Sequence, residues 1–394
     1  MGRLSVRDLL ETGSPTDRIV IADTDVERIA AQIASYPHHL DCSRLETAVV
    51  NVQDVQGTAA LLQDATVVIN ATPYRFNLLV MAAAHQAQVH YVDLGGLFHM
   101  TRQQWEWHER FQAIGKTAIL GIGAAPGISN VLAVHGAEWL QSVREIHIRV
   151  AGIDQTHYDP RPLFPVGYSL ATILEELSAP PALFSAGEFV FVEPLSGHTP
   201  LHFPRPVGKQ HPLYTLHSEV ATLPISFAER GIQEVSFKIA LDPVLIERVV
   251  FLQQLGLTSD QPLPLAEGTI RPVDVLHQLL AQQPPIEVKG SLDQYEIIRV
   301  VLKGSQPLPG KGWEKATVIV DCHVPGVPEW NMGSDVDTGS PPVIAAQLLA
   351  EGTITQAGVF PPEQIIPVQS FLGALRRRHM IVKVTEKKGW DFLV

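Results

Sequence analysis

Acidic, amide and small residues follow four short apolar runs in the first third of the chain. Asp23 closes the first run, residues 70–73 (Asn-Ala-Thr-Pro) the second, Asp93 the third, and the glycine-rich residues 121–127 the fourth. An acidic side chain at such a place can accept hydrogen bonds from the hydroxyls of a ribose, and small residues let the backbone approach a ligand. These residue types therefore indicate a site for a dinucleotide.

The apolar runs themselves predict strands that are buried in a parallel sheet. They span residues 18–25, 66–73, 89–96 and 117–127, and helical patterns lie between them, for example at Val26–Tyr36 and Asn77–Ala87. Continuous apolar stretches suit strands that are covered on both faces. Strands that alternate with helices predict a Rossmann-type α/β domain with a doubly wound parallel sheet, whose ligand lies beyond the carboxyl ends of the strands.

Asp23 and Gly2 bear on how the beginning of the chain could bind a dinucleotide. Asp23 would bind the adenosine ribose and favour NAD, although Arg28 could reach a 2′-phosphate, so NADP is not excluded. The glycine-rich turn belongs about 20 residues upstream of the acidic residue, where Gly2 could be its last glycine. The first strand and the earlier glycines are missing, so we expect a start placed too far downstream or a degenerate copy. The alternative is an ordinary helix over residues 1–12, with Asp23 as a helix cap.

Seven further positions are candidates for cofactor contacts, and each also has a plain structural interpretation. The turn at residues 70–73 would border the ribose rings of the cofactor, or it is a simple strand-to-helix turn. The glycine-rich turn at residues 121–127 could line the nicotinamide, or it is a hinge between domains without ligand contact. The seven candidates are Asn70, Ala71, Thr72, Pro73, Gly95, Gly123 and Pro126.

The middle of the chain changes character and predicts a second domain. Residues 154–212 are rich in proline, glycine and aromatic residues, and the segments Glu234–Ala240 and Lys315–Asp321 alternate between apolar and polar positions. Alternation predicts half-buried strands, here in an α+β domain with an open mixed or antiparallel sheet for substrate binding or dimerisation. We expect the dinucleotide-binding domain at residues 1–128, completed by residues 336–394, and the second domain at residues 129–335.

Composition excludes several classes of protein. The formal charge is −12 at pH 7, which argues against a partner such as nucleic acid or an anionic membrane. The two cysteines form no disulfide framework and fit a reducing cytoplasm. The 16 histidines are scattered, so we expect no metal site. The run Arg376–Arg378 is interpreted as the solvated end of a helix, and no signal peptide or membrane span is predicted.

The order of several motifs resembles the saccharopine dehydrogenase superfamily. The motifs are DLGG (93–96), GIGAAPGISN (121–130), Y-S-x-x-x-x-x-E (168–175), HSEVATLP (217–224), TGSPPVIAAQLLAEG (338–352) and GVFPPE (358–363). The tripeptide Ala125-Pro126-Gly127 most resembles the lysine 6-dehydrogenase-like branch. The resemblance implies an NAD(P)-dependent oxidoreductase, in the cytoplasm and as a homodimer, with a small amino-acid substrate.

Three functions follow from the resemblance, in order of expectation. The first is oxidative deamination of a basic amino acid, as in lysine 6-dehydrogenase. The second is a saccharopine- or carboxynorspermidine-type reductase, in which the same hydride step acts on an imine adduct. The third is a non-catalytic relative without the phosphate-binding turn.

His217 and Asp93 are the candidates for handling the proton that such chemistry moves. An ammonium must lose a proton before hydride can leave its carbon, and the pKa of histidine, about 6.5, is closer to that of a lysine ammonium, about 10.4, than the aspartate value of about 3.9. We therefore expect His217 to be the base and Asp93 to bind the ammonium. Alternatively, His217 is an ordinary histidine and Asp93 bonds the turn at Gly95 or Gly96. Glu219 would share a strand face with His217 and orient it.

Candidates for binding the rest of the substrate lie in the proline-rich segment. Arg161 or Arg205 could bind a carboxylate with two parallel hydrogen bonds, and Tyr168 stands where a helix is predicted to begin. The plain interpretations are solvated arginines and a packed aromatic side chain.

Overall fold

Parallel strands form in the first third of the chain at the four apolar runs that predict them. The computed structural model describes residues 1–160, 162–164, 170–266, 268–282, 287–308 and 312–388. No helix in these ranges is both long and apolar enough to cross a membrane.

Short strands and helices alternate along residues 2–137. The strands are β1 (Ile19–Asp23), β2 (Leu45–Val49), β3 (Val67–Asn70), β4 (His90–Asp93) and β5 (Thr117–Ile119). The helices are α1 (Gly2–Thr12), α2 (Val26–Ala34), α3 (Val55–Leu62), α4 (Asn77–Ala87), α5 (Leu97–Trp105), α6 (His108–Ala113) and α7 (Ile128–Ala137). Single 3₁₀ turns lie at Cys42–Arg44 and Tyr74–Phe76.

The rest of the chain is richer in strands. These are β6 (Ser142–Asp154), β7 (Tyr158–Asp159), β8 (Ala182–Ser185), β9 (Glu188–Phe191), β10 (Leu201–His202), β11 (Lys209–Gln210), β12 (Leu213–Tyr214), β13 (Glu234–Ala240), β14 (Leu263–Leu265), β15 (Gly268–Ile270), β16 (Glu287–Val288), β17 (Gln294–Leu308), β18 (Gly312–Val324), β19 (Gly358–Phe360) and β20 (Ile381–Lys388). The helices are α8 (Leu170–Ser178), α9 (Glu219–Ser226), α10 (Pro243–Gln254), α11 (Pro272–Ala281), α12 (Val336–Gly339), α13 (Pro341–Ala350), α14 (Pro362–Ile365) and α15 (Val368–Arg376). Further 3₁₀ turns lie at Ala228–Arg230 and Pro328–Trp330.

The strands of the first part form two separate parallel sheets. One contains β1 and β2, and the other has the order β19-β5-β4-β3. Strand β2 was not predicted, because Leu45–Val49 alternates with polar residues and is only partly buried. Among the described residues no strand joins β1 to β3. The predicted fold class, a Rossmann-type parallel sheet with a second mixed sheet, is confirmed.

Helix α1 is fixed in place by contacts with the far end of the chain. The carboxylate of Asp8, fully buried, pairs with the guanidinium of Arg378 at 2.5 and 2.6 Å, and Ser5 donates a hydrogen bond to the carbonyl of Gly339 at 2.9 Å. Arg378 is only 1% exposed, so the prediction that it lies at a solvated helix end is wrong. The sequence shows three adjacent arginines, but it does not show that Arg378 alone of the three pairs with the buried carboxylate of Asp8.

The second part is built on one large mixed sheet. Its strand order is β20-β18-β17-β6-β13-β8-β9, and β12 pairs with β13. Strands β6 and β13 are parallel, whereas β17, β18 and β20 run antiparallel to their neighbours. Strand β19 therefore completes the sheet of β3 to β5, while β20 belongs to the large sheet. The proposed domain boundary, which assigns all of residues 336–394 to the first domain, remains a prediction.

The two faces of the large sheet have different character. Side chains alternate along each strand, and the face that α7 covers carries Ile148, Phe237 and Val300 in a continuous apolar core. We call it the inner face. The opposite or outer face carries Arg149 and Lys238, which are paired across β6 and β13.

Candidate active site

The turn at residues 121–127 links the two parts of the molecule and needs glycine at two positions. Gly121 and Gly127 have φ angles of 64° and 124°, which side chains with a Cβ rarely adopt. A Cβ at Gly127 would lie 2.2 Å from the carbonyl oxygen of Gly123, so no residue with a side chain could adopt this turn at position 127. The backbone N–H of Gly127 donates to the side chain of Asn130 at 2.9 Å. Gly123 and Pro126, two predicted cofactor contacts, belong to this turn.

Asp93 stabilises this turn through hydrogen bonds to backbone N–H groups. Its Oδ1 accepts hydrogen bonds from the backbone N–H groups of Gly121 at 2.7 Å and Gly95 at 3.0 Å. Its Oδ2 accepts from Tyr91 at 2.9 Å and from Gln104 at 2.6 Å. Burial raises the pKa of Asp93, and these donors partly oppose the shift. Because the carboxylate is 1% exposed and bonded within the protein, the geometry favours its structural interpretation over contact with substrate.

The turn after β3 is held by Asn70. Its side-chain oxygen accepts from the backbone N–H and the hydroxyl of Thr72 at 3.1 and 2.7 Å, while its amide donates to Tyr91 at 3.0 Å. Ala71 and Pro73 are exposed at the carboxyl end of the sheet. Asn70 and Thr72 thus stabilise the turn, whereas Ala71 and Pro73 are exposed and accessible to a ligand.

Asp23 and Gly2 lie in the first part of the chain, outside the sheet of β3 to β5. Asp23 ends β1, is exposed, and accepts a hydrogen bond from the backbone N–H of Asp25 at 3.1 Å. The helix cap of α2 is Asp25, whose carboxylate accepts a hydrogen bond from the backbone N–H of Arg28 at 2.9 Å. Within the described residues, the hydrogen bonds of Asp23 use only its Oδ1, so its Oδ2 is open to another donor. A Cβ on Gly2 would touch Ala71 at 3.4 Å, which places the start of α1 beside the turn after β3.

His217 forms the centre of a buried charged group in the second part. Its Nδ1 lies 3.3 Å from a carboxylate oxygen of Glu219, and its Nε2 lies 3.8 Å from one of Glu176. The ring stacks on Phe237 of the inner face with 3.5 Å between the ring centroids. Ser129, the second residue of α7, donates to the other oxygen of Glu219 at 2.8 Å. The glycine turn and the histidine are therefore connected through α7.

The two carboxylates control the charge of His217. Burial alone would lower the pKa of His217, but Glu176 and Glu219 outweigh it and raise the pKa to about 9. The imidazole is therefore protonated at neutral pH, and the three side chains together carry one net negative charge. Hydroxyl oxygens of Thr215 and Ser218, close to His217 in sequence, are buried without a hydrogen-bond partner in the part of the chain that the structure describes.

The structure corrects the local geometry predicted around His217. The prediction that His217 and Glu219 share a strand face is wrong, because Ser218 precedes helix α9 and Glu219 is its first residue. The two side chains still meet, since the helix begins two residues after the histidine. Glu176, which makes the other contact, was missed. Its signal was the acidic pair Glu175-Glu176 in the apolar pattern of helix α8.

Tyr74 connects the two parts of the molecule by a hydrogen bond. It belongs to the 3₁₀ turn after Pro73 and hydrogen-bonds to Glu175 of α8. Burial, together with the negative charge of Glu175, raises the pKa of Tyr74. The turn that borders the predicted cofactor site therefore contacts the helix that carries Glu176.

Other predicted substrate contacts lie elsewhere. Arg205 is exposed between β10 and β11, a hairpin whose Phe203 packs with Ala151 on the outer face, away from His217. The structure does not bring Arg205 to the site, and its role in binding substrate remains a prediction. Tyr168 and Arg161 lie outside the described residues.

The residues of the first part fit a dinucleotide along the carboxyl edge of its strands. Asp23, the Asn70–Pro73 turn, Gly95 and the Gly121–Gly127 turn follow β1, β3, β4 and β5 in the order that a Rossmann domain uses. Asp23 as the ribose acceptor and the two turns as cofactor contacts remain predictions from the sequence. In the described ranges no group of three or more His, Cys, Asp or Glu side chains could hold a metal ion.

Comparisons with known proteins agree with this architecture. Residues 1–119 match the model of the saccharopine dehydrogenase NADP-binding domain, and residues 123–381 match that of the saccharopine dehydrogenase C-terminal domain. The chain is 26% identical to carboxynorspermidine synthase from Vibrio alginolyticus over 342 residues, which are 82% of this chain and 79% of that protein. It is 23% identical to carboxyaminopropylagmatine dehydrogenase from Synechocystis sp. over 353 residues, 86% of this chain and 85% of that protein.

A solved structure shares the fold at low sequence identity. Apo saccharopine dehydrogenase (L-Glu forming) from Saccharomyces cerevisiae superposes with a TM-score of 0.70 at 15% identity, covering 98% of each chain. The likeness includes both parts of the molecule.

Proposed function

The chain belongs to the saccharopine dehydrogenase family, and on that premise we propose that it is an NAD(P)-dependent oxidoreductase that reduces an imine to a secondary amine. The imine would form between a primary amine and a carbonyl compound. The observation that carries the proposal is the buried group of His217, Glu176 and Glu219.

The charge of this group suits a positively charged imine. Transfer of the proton from His217 to the imine nitrogen would place a positive charge on the substrate beside the two carboxylates, which stabilise it. Because the group is buried, the attraction is stronger than it would be in water. A neutral carbonyl substrate would leave the negative charge uncompensated, at a cost in free energy.

The proton of His217 matches the needs of the reductive direction. A carbon accepts hydride more readily when the attached nitrogen bears a proton, and the product gains one C–H and one N–H bond. His217 holds a proton at neutral pH, because its pKa is raised to about 9, and can donate it to the imine nitrogen. The nicotinamide, when bound, supplies the hydride. In the opposite direction, His217 becomes a base only when the pH rises above about 9.

The relatives support the same class of reaction. Two of them are named for synthesis or dehydrogenation of carboxylated polyamine-like compounds, and each aligns with most of this chain. The glycine turn, with Gly123 and Pro126, and the Asn70–Pro73 turn would position the cofactor. Asp93 would act by fixing the turns rather than by touching substrate. Specificity for NAD or NADP, a homodimer and a cytoplasmic location remain predictions from the sequence.

Oxidative deamination of the lysine 6-dehydrogenase kind is the second candidate. It rests on the tripeptide Ala125-Pro126-Gly127, and it needs His217 as a base. The buried carboxylates oppose that role at neutral pH, because they hold the proton on the imidazole.

The test is oxidation of NADH or NADPH by the protein with a primary amine and an aldehyde, with the secondary amine identified by mass spectrometry. We expect cofactor oxidation that needs both compounds, and a loss of 10²–10⁴-fold in kcat for His217→Gln with little change in cofactor affinity. His211→Gln, at an exposed histidine, is the matched control. Reduction of NAD by lysine alone would favour deamination instead. Equal losses of turnover and cofactor affinity in His217→Gln would assign the histidine a structural role.

A further inference from the structure

A serine, a histidine and a glutamate form a hydrogen-bonded row on the outer face of the large sheet, opposite the face on which His217 stacks. Ser236 of β13 and His147 of β6 are paired across the two strands, and Glu145 precedes His147 by two residues, so the three side chains share one face. Oγ of Ser236 lies 2.8 Å from Nδ1 of His147, and Nε2 of His147 lies 3.0 Å from a carboxylate oxygen of Glu145. We call these three residues the serine triad.

The donors and acceptors around the triad determine where its protons lie. Glu145 is ionised, because hydrogen bonds from His147 and from Lys303 outweigh burial and lower its pKa to about 2. A carboxylate only accepts hydrogen bonds, so Nε2 of His147 carries a hydrogen. Burial lowers the pKa of His147, so its ring is neutral at pH 7 and its Nδ1 is an acceptor. The hydroxyl of Ser236 therefore donates to Nδ1, which is the arrangement of a nucleophile and its general base.

Arg149 places a positive charge beside the serine oxygen. Its Nη2 donates to Oγ of Ser236 at 3.0 Å, and its Nη1 donates to the backbone carbonyls of Ile148 at 2.6 Å and Ser236 at 3.1 Å. These bonds fix the guanidinium against the strand. Burial lowers the pKa of Arg149 to about 10, so the side chain stays charged at neutral pH. A positive charge at this distance stabilises the negative charge that develops on Oγ when its proton leaves.

Apolar side chains flank the triad along its row across the sheet. Val301 of β17 pairs with His147, and the register of β8 against β13 places Leu183 beside Ser236. Ser236 itself is 6% exposed, so a reacting group must approach it along this row. The outermost member of the row is 38% exposed and the others are half-buried, which leaves the row open to solvent. The row consists of Val190, Leu183, Val301 and Ile319.

We propose that Ser236 is the nucleophile of a second reactive site, which takes up the acyl group of an ester with an apolar acyl chain. Oγ would form a bond to the carbonyl carbon while its proton passes to Nδ1 of His147. The C–O bond to the alcohol would then break, and the alcohol would leave with that proton. A water molecule, deprotonated by the same nitrogen, would release the acid and restore the serine. The apolar row would bind the acyl chain.

The test is labelling of the whole chain with an alkyl fluorophosphonate, followed by digestion and mass spectrometry. This reagent forms a covalent bond to a serine oxygen that a base activates. We expect an adduct on Ser236 and no labelling at that position in Ser236→Ala. His147→Gln should slow the labelling at least about 100-fold, because it removes the general base. Ser142→Ala changes a serine of β6 whose hydroxyl lies 2.7 Å from that of Ser305, and this matched control should be labelled on Ser236 at the original rate.

Hydrolysis of 4-nitrophenyl butyrate and 4-nitrophenyl acetate provides a second readout. If the apolar row binds the acyl chain, kcat/KM should be higher for the butyrate, and hydrolysis of both esters should be lost in Ser236→Ala. Equal hydrolysis by Ser236→Ala and the original chain would show that the serine does not react.

Two further results would overturn the inference: the absence of an adduct on Ser236, or labelling that is equally fast in His147→Gln. Either would make the triad an ordinary hydrogen-bond network of the sheet. Circular dichroism establishes whether His147→Gln folds. If it does not, Glu145→Gln provides the second variant, and its labelling should also be slower than that of the original chain. None of these assays contains a nicotinamide cofactor, so their outcome is independent of the proposed imine reduction.

Discussion

The imidazole of His217 lies 3.3 Å from the carboxylate of Glu219, although one residue ends a loop and the other begins a helix. Ser129 holds the same carboxylate at 2.8 Å from the beginning of α7, directly after the glycine turn. The proton on His217 is thus connected, through one carboxylate, to the segment that would face a nicotinamide. Changes at Glu219 should therefore alter how firmly His217 holds its proton.

Glu219→Gln should shift the pH dependence of the proposed reduction. With Glu219 present, the rate should fall as the pH rises through about 9, because His217 loses its proton there. Removing one of the two carboxylates lowers the pKa of His217, so this alkaline limb should move to lower pH. The measurement is kcat/KM for reduction against pH, which reports groups of the free enzyme. Glu229→Gln, at an exposed position after α9, should leave the limb in place. An unchanged limb in Glu219→Gln would mean that another group limits the rate.

Asp93→Asn should act on stability. The amide replaces a carboxylate that accepts hydrogen bonds from Gly121, Gly95 and Gln104, and its NH₂ group would oppose one of the donors. We expect the free energy of unfolding to fall by about 1–3 kcal/mol, measured by urea denaturation. Asp64→Asn, an exposed carboxylate between α3 and β3, is the control. A large loss of kcat at unchanged stability would instead support the role first expected for Asp93, that of binding the substrate ammonium.

Local sequence pattern predicts much of the fold, but it does not predict much of the candidate active site. Helix Asn77–Ala87 and strand Glu234–Ala240 have the predicted bounds, because their apolar periodicity agrees with their final burial. The order of motifs also predicted the superfamily, which the family models confirm. His217 could be singled out, but its charge is set by Glu176, which is distant in sequence and reaches it only through the packing of α8. The burial of Arg378 depends in the same way on Asp8.

Arg378→Ala should destabilise the protein strongly. It removes the partner of the fully buried Asp8 and leaves a carboxylate without a counter-ion. Loss of one member of a buried ion pair costs about 3–5 kcal/mol, and thermal or urea unfolding measures it. Arg377→Ala, at the exposed neighbouring residue, is the matched control and should change stability little. Equal, small effects of the two substitutions would contradict the role of the pair in holding α1.

Asp23→Ala should weaken NAD binding more than NADP binding. Asp23 is exposed at the end of β1, where its free oxygen could accept from the ribose hydroxyls. Loss of a charge-assisted hydrogen bond of about 1.5–3 kcal/mol corresponds to a rise in the NADH Kd of about 10- to 100-fold, measured by fluorescence titration. Asp25→Asn, in the neighbouring cap, should change the NADH Kd far less. Unchanged affinity in Asp23→Ala would remove the ribose assignment.

In the proposed reaction, hydride passes from the nicotinamide to a carbon attached to nitrogen. The most direct measurement uses NADH or NADPH carrying deuterium at the transferable C4 position, together with an amine and an aldehyde, and locates the label in the product by mass spectrometry. We expect one deuterium in the secondary amine, on the carbon next to nitrogen, and none in the His217→Gln reaction over the same time. Cofactor oxidation that leaves the amine unlabelled, or tight cofactor binding without any oxidation, would contradict it.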